Sequence, residues 1–127
     1  MERRRSKRIV VMLEAEIISG ADSYLGFLEN DTERPGVNVY TYAGIIENIS
    51  EDGMLISVSE ITNVNFDIGE KLEIVFQPPS GERLNLHCMV RRFQDRITPQ
   101  DLKQKIGMEV IDPPPAFRKF INAMLNQ

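Results

Sequence analysis

Arginine is concentrated near the start of this sequence, in a spacing suited to binding phosphate groups. Five cationic residues lie within positions 3–8, and Arg4 and Arg8 have the spacing R-x-x-x-R. The guanidinium fork can pair with two phosphate oxygens or with the O6/N7 edge of guanine, and its flat face can stack on a base. Two arginines four residues apart could therefore contact two ends of a compact guanine nucleotide.

A second group of polar residues lies between two predicted strands. Asn48, Ser50 and Gly53 form the pattern N-x-S-x-x-G. Asn48 and Ser50 offer short neutral donors and acceptors, while Gly53 can supply a positive φ and let the backbone come close to a ligand. A plain hairpin turn is the simpler alternative, because the pair Asp52-Gly53 alone favours a tight bend. For the arginines, the simpler alternative is a solvated chain end.

The charge of the chain is unevenly distributed. Residues 1–8 carry five Lys or Arg and one Glu, which is +4, so the other 119 residues must sum to −8 to give the total of −4. A basic arm of this kind usually binds the phosphates of nucleic acid, lipid or a nucleotide.

The composition excludes most familiar catalytic sites. Cys88 is the only cysteine and His87 the only histidine, which excludes an internal disulfide, a cysteine-based zinc cluster and a Ser-His-Asp triad. No other catalytic set is evident, so we expect that the protein is not an enzyme. The apolar stretches fall short of the roughly 20 residues of a membrane span, and Glu14 and Glu16 interrupt the segment after the arm where a signal peptide would be apolar. We therefore expect a cytoplasmic protein with no membrane span.

Hydrophobic periodicity predicts one domain of six strands and a terminal helix. Apolar residues alternate with polar ones, or β-branched and aromatic residues cluster, in segments 11–18, 37–47, 54–59, 70–77, 83–93 and 105–111. Residues 19–36 are acidic and irregular, which favours a long loop. Beyond three prolines, an apolar stripe at helical spacing predicts an amphipathic helix. The stripe comprises Phe117, Phe120, Ile121, Met124 and Leu125. A small antiparallel barrel or sandwich accommodates these elements.

The two motifs together resemble those of the PilZ domain family, whose members are bacterial receptors for cyclic di-GMP. That family has R-x-x-x-R leading into its first strand and D/N-x-S-x-x-G at the start of a later one. The segment IGMEVID, followed by prolines and a helix, is also similar to the end of the family's fold. The resemblance covers residues 3–125 and implies an all-β fold: a six-stranded antiparallel β-barrel of the split-barrel type with a C-terminal amphipathic helix.

The resemblance also implies how the chain is organised. Residues 1–127 would form a single domain, with a basic switch arm at 1–8, the barrel at 9–111 and the helix at 115–126. The long acidic loop is a departure from a minimal domain of the family. Because the arm begins almost at residue 1, we expect that it repositions no upstream domain.

Cyclic di-GMP would be a regulatory ligand in this interpretation, and no cofactor or metal is expected. Its binding would order the arm against the barrel and change the surface offered to a partner protein, in motility, polysaccharide export or pilus assembly. The ligand-binding residues would be Arg3, Arg4, Arg5, Arg8, Asn48, Ser50 and Gly53.

Two other functions remain open from the sequence. The protein could be a PilZ-like interaction module that does not depend on cyclic di-GMP. It could instead be a small barrel that binds nucleic acid through its arm, although the acidic body and the lack of Trp disfavour a stacking platform. We therefore expect no DNA partner.

Overall fold

The computed structural model describes residues 7–20, 40–59, 66–79, 81–94 and 103–126. These residues form six strands and one helix. The strands are β1 (Ile9–Ser19), β2 (Tyr40–Ile49), β3 (Gly53–Ser59), β4 (Lys71–Phe76), β5 (Leu84–Gln94) and β6 (Lys103–Ile111), and the helix is α1 (Pro115–Leu125). Most of the predicted arm and nearly all of the predicted acidic loop lie outside the described residues, so these two predictions are not addressed by the structure.

The six strands close into a barrel in the order β1-β2-β3-β6-β5-β4. Every neighbouring pair is antiparallel, including the β1–β4 pair that closes the sheet. The predicted six-stranded antiparallel barrel with a C-terminal helix is therefore confirmed, and a barrel rather than a sandwich is the correct architecture. Closure satisfies the backbone groups that an open sheet would leave at its edges.

The interior of the barrel is apolar and α1 covers part of it. Inward-facing side chains with no exposed surface include Ile17, Ile46, Ile56, Ile74, Leu86 and Ile106. From the helix, Phe117 and Ile121 are buried, and the ring of Phe120 packs edge-on against Phe76 with centroids 5.8 Å apart. Pro115 begins the helix, where a missing N–H carries no cost. The predicted stripe is thus mainly a core contact, although Leu125 at its end is 39% exposed.

Irregular pairing in three strands changes which side chains face outward. Along a regular strand, every second residue points to the same face. In β2, however, Ile46 and Ile49 both have no exposed surface, and the pairing with β3 shifts between Ile46 and Asn48. The β1–β2 pairing shifts between Val10 and Leu13, and the β5–β6 pairing shifts between Val90 and Arg92. These bulges lie at one end of the barrel and set the orientation of the residues described below.

Cys88 and His87 occupy opposite faces of β5, as the alternation predicts. Cys88 has no exposed surface and belongs to the core, whereas His87 is exposed. Burial raises the pKa of the Cys88 thiol from 9.0 to about 12, because the thiolate loses its hydration in an apolar environment. Cys88 is therefore a core residue rather than a nucleophile.

The reactivity of Cys88 should report on unfolding. At pH 8 the native thiol should not react detectably with a disulfide reagent such as DTNB, because its side chain is inaccessible and its thiolate population is about a thousand-fold lower than that of an ordinary cysteine. In urea above the unfolding midpoint, one thiol per chain should react. Fast reaction of the native protein would contradict the buried position of Cys88.

Candidate functional site

Arg8 of the first motif and Asn48 of the second meet on the outer face of the barrel. Arg8 lies just before β1, and its Nη1 donates a hydrogen bond of 3.0 Å to Oδ1 of Asn48. Val10, two residues further on, pairs with Asn48 across the β1–β2 ladder. The ladder therefore brings Arg8 to Asn48, although 40 residues separate them in sequence.

Asn48 faces outward because β2 is irregular at Glu47. Ile46 points into the core, so strict alternation would also point Asn48 inward. The shift between Ile46 and Asn48 pairs Asn48 with Leu55 and returns Ile49 to the core. An extra residue in the strand thus places a polar amide beside Arg8 instead of burying it.

Ser50 organises the turn that links β2 to β3. Its side chain is 1% exposed, and its hydroxyl lies 2.9 Å from Asp52 Oδ1 and 3.3 Å from the Gly53 carbonyl oxygen. The Ser50 backbone N–H donates to that carbonyl at 2.8 Å, and the Asp52 carbonyl accepts from Val110 at 2.9 Å. Ser50 therefore fixes the turn, and the Asp52 carbonyl ties the turn to β6.

Gly53 is required by a close approach rather than by its φ angle. The expected positive φ is wrong, because the described glycines with positive φ are Gly20 and Gly69. A methyl group on Gly53 would lie 2.9 Å from the Met108 carbonyl oxygen and 3.5 Å from Arg8 Nη2. The first distance is shorter than van der Waals contact allows. Gly53 thus lets the Met108 carbonyl of β6 come close to β3, while the Arg8 guanidinium lies over Gly53 at an ordinary contact distance.

The arrangement leaves particular donors available to a ligand. A guanidinium can only donate, so the Asn48 oxygen must face Arg8. The Asn48 Nδ2 can then donate to an acceptor such as a phosphate oxygen or guanine O6. This hydrogen bond also limits the rotamers of Arg8, so a bound anion would meet a partly ordered cation.

Two carboxylates near this face are paired with cations. Glu47, beside Asn48, lies 3.1 Å from Lys105 Nζ, with the two side chains 18% and 34% exposed. Glu109, which pairs with Gly53 across the β3–β6 ladder, lies 3.6 Å from Arg91 Nε. Opposite charge at this range reduces the repulsion that either carboxylate would exert on a bound anion.

The structure brings together Arg8, Asn48, Ser50 and Gly53 of the predicted binding residues. Arg3, Arg4 and Arg5 lie outside the described residues. Asp52 was predicted only as part of the turn, yet its carboxylate also accepts a hydrogen bond from the Ser50 hydroxyl. The signal was present, because Asp two residues after Ser in a turn is well placed to accept from it.

A groove of about 570 Å³ lies elsewhere, over β1, β2, β3 and β4. Its lining includes Glu16, Ala43, Ile45, Val75 and Arg83. None of Arg8, Asn48, Ser50 and Gly53 lines this groove. Within the described ranges, no group of three or more His, Cys, Asp or Glu residues is positioned to hold a metal ion. No described helix is long and apolar enough to cross a membrane.

A closed six-stranded barrel with Arg8, Asn48 and Gly53 close together on its outer face defines a small all-β domain with a candidate binding site. The model of the PilZ domain family matches residues 2–127. The chain therefore belongs to the PilZ domain family, which confirms the resemblance drawn from its motifs.

Solved structures of similar fold agree with this family. The Bacillus subtilis inhibitor of motility MotI/DgrA has a TM-score of 0.67 at 18% identity, covering 100% of this chain and 54% of that one. The PilZ domain of Escherichia coli YcgR, solved with c-di-GMP, has a TM-score of 0.64 at 12% identity, covering 98% and 93%. The K. pneumonia MrkH–c-di-GMP complex has a TM-score of 0.64 at 11% identity, covering 99% and 52%. This chain thus spans about half the length of MotI/DgrA and MrkH. No curated protein matches it.

The close approach at Gly53 can be tested by adding one methyl group. Gly53→Ala should lower the free energy of unfolding by about 1–3 kcal/mol, because the backbone of β3 or β6 must move to relieve the contact with Met108. Urea denaturation followed by circular dichroism would measure the change.

Gly81→Ala is the matched control for Gly53→Ala. Its added methyl would meet only Pro78, at 3.7 and 3.8 Å, so it should be neutral or stabilise the protein by about 0.4–1 kcal/mol. Equal stability of the two variants would contradict the role given to Gly53.

Proposed function

We propose that this protein is a receptor for cyclic di-GMP and that the Arg8–Asn48–Gly53 patch is part of its binding site. The observation that carries the proposal is the contact between Arg8 of the first motif and Asn48 of the second, with Arg8 Nη1 3.0 Å from Asn48 Oδ1. Membership of the PilZ family supports it, as do structures of two similar proteins with c-di-GMP.

Each described residue has a chemical role in this proposal. Arg8 donates to a phosphate oxygen or to the O6/N7 edge of guanine. Asn48 holds the Arg8 guanidinium through its oxygen and donates to the ligand through its nitrogen. Ser50 supports the turn from within, and Gly53 lets the Met108 carbonyl of β6 approach β3 beneath the guanidinium. Arg3, Arg4 and Arg5 add further contacts to phosphate or base from the arm.

The proposed mechanism is ordering of the arm by the ligand. Arg8 and Asn48 fix one end of the arm on the barrel, so residues before position 7 are those that the ligand would draw onto the same face. Val10 is 78% exposed and Met12 57% exposed, beside this end of β1. An ordered arm would change access to these two apolar side chains, which supports a partner protein reading the bound state.

Catalysis plays no part in this proposal, and neither does a cofactor or a DNA partner. Cyclic di-GMP acts as a regulatory ligand that is bound and released unchanged. The similarity to an inhibitor of motility favours motility among the processes considered, and a cytoplasmic location would give the protein access to the messenger.

Calorimetric titration tests the receptor proposal directly. Cyclic di-GMP should bind saturably with a Kd on the order of micromolar, about −8 kcal/mol, and GTP and cyclic di-AMP should bind far more weakly. Arg8→Ala should weaken binding roughly 10- to 150-fold, because it removes a charge-assisted hydrogen bond of about 1.5–3 kcal/mol.

Arg83→Ala is the matched control for Arg8→Ala. Arg83 is also paired, with Glu16 at 2.9 Å, although it is more exposed than the half-buried Arg8. Glu16 lies roughly 25 Å along β1 from Arg8. The Arg83→Ala variant should bind cyclic di-GMP with the affinity of the wild type. Absence of heat and of any shift in Tm at ~100 μM cyclic di-GMP, above the micromolar range expected here, would rule out the receptor function.

Limited trypsin digestion tests the ordering of the arm. Cyclic di-GMP should slow cleavage after Arg3, Arg4 and Arg5 several-fold, because a bound arm cannot adapt to the protease. Mass spectrometry of the N-terminal fragments would give the rates, with cyclic di-AMP as the control. Unchanged cleavage at saturating ligand would show binding without ordering of the arm.

A further inference from the structure

A row of paired residues crosses the outer face of the barrel next to the proposed binding site. Asn48 of β2 pairs with Leu55 of β3, Leu55 pairs with Gly107 of β6, and Gly107 pairs with Arg92 of β5. Asn48 and Arg92 are therefore at the two ends of one cross-strand row. Leu55 between them is 8% exposed and offers an apolar floor.

Arg92 reaches this face because β5 is irregular at Arg91. Val90 has no exposed surface, so strict alternation would also point Arg92 into the core. The pairing shifts between Val90 and Arg92, and Phe93 packs against the core instead. A bulge thus turns both Asn48 and Arg92 outward. Without it, strict alternation would bury each of these polar side chains.

The side chain of Arg92 lies across Gly107, towards the centre of the row. A methyl group on Gly107 would be 2.9 Å from Arg92 Cγ, 3.1 Å from Nε and 3.4 Å from Cζ. Because glycine has no side chain, the Arg92 stem and guanidinium can rest on the strand. Arg92 as a whole remains exposed to solvent.

Two guanidinium groups therefore each cover a glycine on the same face. Arg8 lies over Gly53, with Nη2 3.5 Å and Cζ 4.0 Å from the position of an added methyl, and Arg92 lies over Gly107. Gly53 pairs with Glu109, two residues from Gly107, so the glycines are diagonal neighbours. Such neighbours are about 7–8 Å apart. The glycines beneath the two cations are thus neighbours on one face, and a compact ligand with two phosphate groups lying over them could contact both cations.

We propose that Arg92 is a third element of the binding site, which contacts a phosphate group of the ligand from the side opposite Arg8. This inference rests on the proposed receptor function and adds a residue that neither sequence motif contains. The nearby carboxylate Glu109 is 3.6 Å from Arg91 Nε, so Arg91 is the cation placed to offset it. A guanidinium over a glycine and beside an apolar residue is well placed to donate to an anion.

Arg92 could alternatively act only through its hydrocarbon stem, by covering Gly107. Three variants separate the two roles. Arg92→Gln keeps part of the hydrocarbon stem and removes the charge. Arg92→Lys keeps a positive charge but loses the planar guanidinium fork. Gly107→Ala keeps Arg92 but displaces its stem. Arg83→Gln provides the same loss of charge at an exposed, paired arginine outside the row.

Calorimetric titration of the full chain with cyclic di-GMP at several salt concentrations provides the test. Arg92→Gln should bind roughly 10- to 100-fold more weakly than wild type, and its affinity should fall less steeply with salt because one cation is missing. Arg92→Lys should retain an intermediate affinity with the wild-type salt dependence. Gly107→Ala should also bind more weakly, whereas Arg83→Gln should match the wild type. All four should keep a Tm within a few degrees of wild type.

The outcomes separate this inference from the receptor function. If wild type and Arg92→Gln bind equally well and with equal salt dependence, the receptor function stands and the role of Arg92 is wrong. If affinity falls only in proportion to a loss of Tm, Arg92 is a structural residue. If the wild type binds no cyclic di-GMP, the receptor function fails and the assignment of Arg92 fails with it.

Discussion

The alternation of side chains along a closed barrel is the constraint on which the candidate site depends. In a regular strand each residue faces either the core or solvent, and a polar residue at an inward position must lose its hydration. Asn48 follows the inward Ile46 at a spacing of two, and Arg92 follows the inward Val90 in the same way. The bulges in β2 and β5 resolve both conflicts by adding one residue. The site is thus placed at the end of the barrel where the strands are irregular.

Much of the fold could be predicted because the core is simple. Leu84, Leu86, Cys88 and Val90 alternate with polar residues, and all four are buried, so β5 and its inner face follow from the sequence. The C-terminal helix was predicted equally well, from the helical spacing of its apolar residues. The bulges were not predicted, because a one-residue insertion leaves no local pattern in segments such as VRRF. The sequence did contain one indication of a bulge. Strict alternation would place an arginine at an inward position, and because burying that charge costs too much, the strand must be irregular there.

The candidate site could be predicted only in part, because local motifs are visible in the sequence and tertiary contacts are not. R-x-x-x-R and N-x-S-x-x-G identified Arg8, Asn48 and Gly53 because the residue types and their spacing are local features. The positive φ considered for Gly53 was wrong. The residue is constrained by the Met108 carbonyl of β6, which is distant in sequence and becomes a neighbour only when the barrel closes. Ser50 and Asp52 illustrate the same limit, because a donor suited to a ligand was found to be buried in the turn. Local motifs indicate which residues matter, and tertiary contacts decide how each acts.

The Arg8–Asn48 hydrogen bond has a consequence for how tightly a ligand can bind. Ordering a free arm costs about 1–2 kcal/mol of backbone entropy per residue, and each free arginine side chain adds about 2 kcal/mol. Arg8 is already held by Asn48, so binding need not order it again and its contact with the ligand contributes more of its intrinsic strength. In the proposed receptor, the entropy cost of binding would fall on the residues before Arg8. Its affinity should therefore depend mainly on the cations fixed to the barrel, while the arm would contribute less to affinity and more to the proposed change of surface.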